Sequence, residues 1–332
     1  MKTLWLLALL LPLPLSAFAQ AVAPEPPPGA CGDVLAKHVD DNLNPMIESD
    51  CDSTAYYFGI GRDKDYTLAR SCAYLERFKH VDQDGSLFTG PGILAMIYAN
   101  GDGTPRDLDL ARRFTCEIKE AAPEETLARL QVIDRMATSP KNAGHFDLCS
   151  MGSTGVTQNW CASIHLRLED ARRYDELVKM VDGLTPAQQE SFKVLQSAEQ
   201  GYEAAHADKE IDLTGTAAAA LTLQERNRLR ALFVSDFALF AKKDFAEPVS
   251  LGVVQGHIDN DLASIQKNGP HIFRNTTVTV QGVNETQAAW VKYVAAWRAY
   301  EAAVNPGVSG DAVETQLGRE RLFHLHRLNS MY

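Results

Sequence analysis

The sequence lacks the motifs by which many enzymes announce their chemistry. It holds no HExxH, no GxSxG and no GxxxxGK[ST], so the zinc-peptidase helix, the nucleophile elbow and the phosphate-cradling loop are absent as motifs. No carboxylate pair of the kind a glycosidase needs stands out. Positive charge is also in deficit, with 32 Lys and Arg against 43 Asp and Glu and a formal net charge of −11. That balance makes nucleic acid a poor partner and a basic protein a natural one. Long apolar runs are missing as well: one extends from Leu4 to Leu15, and no other stretch is long and uncharged enough to span a bilayer. No membrane insertion is expected, and neither a cofactor nor a metal is called for by any motif.

The features that are present begin at the N-terminus. Lys2, the run from Leu4 and the small residues through Ala19 read as a secretory signal peptide, residues 1–19, cleaved near Ala19. The expected location is the periplasm or the medium. Residues 20–30, with "APEPPPG", read as an extended linker. Six cysteines in an exported chain favour disulfides, and the absence of CxxC spacing disfavours a zinc cluster. Cys149 and Cys161 flank the loop "SMGSTGVTQNW" and are expected to close it. The other four allow three pairings, from which Cys51 with Cys72 and Cys31 with Cys116 is chosen.

The stretch "ILAMIYANGDGTPRDLDLARRF", residues 93–114, offers Asp102, Asp107 and Asp109 as oxygen ligands for a hard cation. An earlier copy argues otherwise. Gly59, Gly61, Asp65 and Ala69 match Gly101, Gly103, Asp107 and Ala111, each displaced by 42 residues, a spacing that belongs to stacked supersecondary units. The glycines then serve as left-handed helix caps and each Asp as a helix start. Leu94, Ala95, Tyr98, Gly101, Gly103, Asp107 and Ala111 resemble the Sel-one-like repeat family, relatives of tetratricopeptide repeats. The resemblance implies antiparallel helix pairs and a partner-binding scaffold over residues 31–142.

A second repeat follows. Gln196 and Tyr202 recur as Gln287 and Tyr293, offset by 91 residues, and "TLQERNRL" recurs as "TQLGRERL", offset by 93. Each copy reads as three helices, over 143–240 and 241–332. In the second copy they fall near 249–267, 284–303 and 311–329, with "TTVTV" at 276–280 as a short extended piece. The fold class is therefore all-α: helix hairpins followed by two three-helix modules, braced by disulfides. Cys149, Cys161, Gln196, Tyr202, Thr222, Arg226 and Leu229, and again Gln287, Trp290, Tyr293, Arg298, Thr315, Arg319 and Leu322, resemble the LprI-type lysozyme inhibitor domain. This resemblance implies a non-enzymatic protein that blocks a cell-wall lytic enzyme, a basic lysozyme or a lytic effector, by covering its cleft. A periplasmic scaffold, or an immunity protein for a secreted effector, is the alternative.

Candidate chemical residues are few. His206 with Asp208 and Glu210 in "HADKEID" is the best acid–base set. His257, Asp259 and Asp261 read as a solvated helix face, His324 and His326 point different ways on one helix, and Asp82 and Asp84 in "DQDG" lack the later ligands of a calcium loop. Trp290, Tyr293, Trp297 and Tyr300 form one helical stripe. Core packing is the default for such a stripe, and a protein-binding anchor at Trp290, Tyr293 and Trp297 is the sharper alternative.

Overall fold

The computed structural model describes residues 31–36, 51–78, 90–118, 121–139, 144–242 and 251–330. The signal peptide and its cleavage point, the linker at 20–30 and "DQDG" lie outside them. The described residues form helices and no strand.

Two turns placed 42 residues apart have the same hydrogen bonds. Helix α2, Ser53–Phe58, ends on Gly59 at φ 77°, and α4, Pro91–Asn100, ends on Gly101 at φ 77°. The amides of Gly59 and Gly101 donate to the carbonyls of Ala55 and Ile97, both at 2.9 Å. Asp65 and Asp107 then start α3, Tyr66–Phe78, and α5, Leu108–Glu117, their carboxylates accepting from Leu68 N at 2.9 Å and Leu110 N at 3.0 Å. Asp102 is also engaged, accepting from the Tyr57 hydroxyl at 2.8 Å. The stretch 93–114 is thus the corner of a helix pair. Gly101→Ala should destabilise the protein by about 1–2 kcal/mol in a urea melt, because a Cβ is strained at this φ. An unchanged midpoint would show that the corner relaxes without cost.

Helix α4 is apolar all round, as a helix enclosed by neighbours should be. Its Ile93, Leu94, Ala95, Met96, Ile97 and Ala99 are buried against α3 and α5, and Tyr98 stacks on Phe114 at 5.7 Å. The short α1, Gly32–Leu35, is tied to α5 by Cys31–Cys116, and Cys51–Cys72 ties the start of α2 to α3. This core continues past residue 142. Asn100 accepts from the amide of Phe146 at 2.7 Å and donates to its carbonyl at 2.9 Å, which brings Phe146 and Leu148 into it.

Helix α6, Pro123–Thr138, makes the junction to the C-terminal half. The carboxylate of its buried Glu125 accepts from Ser153 N at 2.6 Å, Thr154 N at 2.7 Å and Thr157 Oγ1 at 2.6 Å, capping α7, Gly155–Val181. Negative charge at a helix start is favourable, and here it also joins two bodies. Cys149 in a 3-10 turn, Leu148–Met151, bonds Cys161 in α7. Gly155 is required by space: an added Cβ would stand 2.2 Å from the Thr216 carbonyl oxygen.

The remaining helices are α8, Pro186–Lys209; α9, Ala218–Lys242; α10, Leu251–Ile272; α11, Val280–Val304; and α12, Gly310–Asn329. Thr185 and Gln188 form a capping box ahead of α8. Residues 276–279 lead through a bend into α11, whose first residue is Val280, instead of forming a strand. Thr279 has a strand-like backbone, but its hydroxyl accepts from Gly282 N at 2.9 Å, which makes it the cap of α11. β-branched residues at a helix cap look like a strand when read from sequence alone.

The two three-helix sets repeat one arrangement: α7 packs along α9 as α10 packs along α12, and the matching helices α8 and α11 pack against each other. Their pairing is antiparallel, with Lys209 on Glu285 at one end and Gln188 donating to the Ala303 carbonyl at 3.0 Å at the other. Tyr202 and Tyr293, the residues that mark the repeat, stack on each other at 5.4 Å. The aromatic stripe of α11 is core: Trp290, Tyr293, Trp297 and Tyr300 are all buried. Trp297 meets Phe233, Phe237 and Phe240 of α9. Its members therefore present no surface, and the reading of Trp290, Tyr293 and Trp297 as a partner-binding anchor is corrected. Large rings at helical spacing are packed against the facing phenylalanines of α9.

Candidate functional site: a buried histidine, glutamate and arginine cluster

The last turn of α8 and the middle of α12 meet in a polar knot. Spacing of four places His206 and Glu210 on one face of α8, and spacing of three places Arg321 and His324 on one face of α12. Arg321 bonds Glu210 through both carboxylate oxygens, at 2.6 and 2.8 Å, and its Nε donates to Gln287 of α11 at 2.9 Å. Nδ1 of His206 and Nε2 of His324 each stand 3.2 Å from Oε2 of Glu210. The two imidazoles cross at 89° with centroids 3.9 Å apart. Nε2 of His206 faces Glu225 of α9 at 3.2 Å.

Burial and neighbouring charge set the protonation states. Burial alone would raise the Glu210 carboxyl, yet the Arg321 guanidinium, with His324 beside it, holds it down at about 2. Burial and the neighbouring His324 push His206 well below the usual histidine value, so its ring is neutral at pH 7. Arg321 is pushed down by burial and up by Glu210, and ends above its ordinary value. Glu210 and Arg321 are thus a locked ion pair with a neutral imidazole against it. A carboxylate fixed at so low a value is a poor proton donor near neutrality.

The acid–base set read from the sequence divides here. His206 and Glu210 enter the knot, while Asp208 turns outward to Arg226 at 3.1 Å. Arg321 and His324 were missed as partners; the sequence signal was their spacing on one face of α12. His326 is exposed, as are His257 and Asp259, and Asp261 is occupied by Asn329 at 2.8 Å. An open cleft of about 370 Å³ leads to His324, lined also by Tyr202, Arg228, Glu320 and Phe323.

A second polar group lies between α7, α8 and α9. Arg230 bonds Glu203 through two contacts at 2.6 and 2.9 Å and also reaches Asp170, which accepts from Arg173 at 2.7 Å. Glu199 lies beside them in a cavity of about 230 Å³, buried, with Oε1 lacking a hydrogen-bond partner. Burial first, and then the Glu203 charge, raise its carboxyl to about 8.

No family model, curated protein or solved structure matches the chain.

Proposed function

We propose that the chain is an exported, non-enzymatic binding protein that blocks a cell-wall lytic enzyme by covering its cleft. The observation that carries this reading is the bracing of the all-helical described chain by three disulfides, which join α1 to α5, the start of α2 to α3, and the 148–151 turn to α7. Disulfides persist in oxidising compartments, where lysozymes and secreted lytic effectors act. Two further features support it. The net charge of −11 steers the protein toward a basic enzyme, and the Gln, Tyr, Thr, Arg and Leu that resemble the LprI-type inhibitor domain occur in both three-helix sets, the second without the cysteines. The knot of His206, Glu210 and Arg321 contributes rigidity in this reading, holding the two sets as one body.

The test is turnover of cell-wall substrate by a basic lysozyme with the oxidised protein added at equimolar and tenfold ratios. Inhibition that weakens as salt is raised from about 0.05 to 0.5 M is the expected result. Full turnover at tenfold excess overturns the lysozyme case. A partner then recovered by cross-linking from envelope extract would favour the scaffold or immunity reading.

A further inference from the structure

The polar knot has the spacing of a metal site. One ligand atom from each of His206, Glu210 and His324 lies within 4.8 Å of the other two, and two of the separations are 3.2 Å. A four-coordinate zinc ion with bonds of about 2.0–2.1 Å places neighbouring donors roughly 3.3 Å apart. The existing distances are therefore two edges of that tetrahedron. The donors come from α8, with His206 in its last turn and Glu210 at its C-cap, and from α12, with His324.

Hydrogen bonding points the same way. His206 has a carboxylate oxygen at 3.2 Å from each ring nitrogen, Glu210 on Nδ1 and Glu225 on Nε2. A neutral imidazole has one N–H, so it serves one of them and turns a lone pair toward the other. A cation between Nδ1 and Oε2 of Glu210 removes that conflict: the ring proton then sits on Nε2, which has no hydrogen-bond partner in the structure and faces Glu225. This is the outer carboxylate that metal-bound histidines commonly use. Arg321 occupies one lone pair of Oε2 and bonds Oε1, which leaves Oε2 a second lone pair for the ion.

We propose that His206 Nδ1, Glu210 Oε2 and His324 Nε2 bind one Zn²⁺, with Glu225 orienting His206 and a fourth position opening toward the cleft beside His324. Two imidazoles and a carboxylate suit zinc better than calcium or magnesium, which prefer all-oxygen shells. The site lies between the first and second three-helix sets, so the ion would bolt them together. It is independent of any inhibitory role.

The experiment uses the full oxidised chain, stripped with EDTA, desalted, and titrated with Zn²⁺ alone by calorimetry and by metal analysis after gel filtration. One zinc per chain is expected, with a thermal midpoint several degrees higher than in EDTA. Glu225→Gln should weaken binding 10- to 100-fold while leaving the circular dichroism unchanged. His324→Ala should abolish the retained equivalent, with its fold checked in EDTA. Co²⁺ in place of zinc should give the intense visible absorption of a four-coordinate site in wild type and not in His324→Ala. Zinc retained equally by wild type and both variants places the metal on surface histidines and overturns the site. No zinc retained by wild type overturns it too.

Discussion

Arg321→Ala should lower the unfolding free energy by about 3–5 kcal/mol, measured by urea titration of the oxidised protein at pH 7. Arg321 and Glu210 are fully buried and bonded through both carboxylate oxygens. Removing the guanidinium leaves an ionised carboxylate inside the protein, with only the imidazoles of His206 and His324 against it. Desolvation of that unpaired charge is the main cost, and the cavity adds to it. Glu210→Ala should be comparably damaging, because it strands the arginine. The double variant Arg321→Met with Glu210→Leu should cost less than either single change, since it buries no charge. Additive losses would mean that water reaches the pair and screens it. A loss below about 1 kcal/mol for Arg321→Ala would refute the locked-pair account.

The knot was only half legible in the sequence, for a physical reason. Spacing along one helix shows which side chains share a face, and that was enough to single out His206 and Glu210. It does not show which face of a distant helix they meet, and Arg321 lies 111 residues from Glu210. His324 was weighed against His326 and not against Arg321, although the pair three apart shares a face. The glycine corners were fully readable, because a left-handed cap and an Asp start are local chemistry repeated at fixed spacing. The aromatic stripe on α11 was readable as a stripe, but its burial depended on Phe233, Phe237 and Phe240, which belong to the other module.

Matching positions of the two three-helix sets hold unlike side chains. With the offset of 91 residues that relates Tyr202 to Tyr293, Glu199 corresponds to Trp290 and His206 to Trp297. All four are buried. The first copy filled these core positions with titratable groups, and the second filled them with indoles. Packing volume can be supplied by either, but only the indoles are free of a charge to compensate. The first set therefore supplies Glu199, His206 and Glu210, with Arg321 of α12 completing the buried pair, and the second carries the larger share of dry core.

That asymmetry makes Glu199 a place where stability should respond to pH. Its carboxyl is raised from 4.5 to about 8 in the folded chain by burial and by Glu203. Between those values the folded state holds a proton that the unfolded state has released. Stability therefore falls as pH rises from about 4.5 to 8, and the full penalty is present above that range. The shift corresponds to a penalty on the order of 3–5 kcal/mol. Glu199→Gln reproduces the protonated shape without the charge, so it should raise the unfolding free energy at pH 8.5 by that order and have little effect at pH 4.5. Urea midpoints of wild type and variant across this range are the measurement. The difference between the two proteins should grow with pH, because the variant lacks the titrating group. A gap that is constant with pH would show that Glu199 stays ionised in the folded chain, with Arg230 and Arg173 compensating it, and would overturn the account of this pocket.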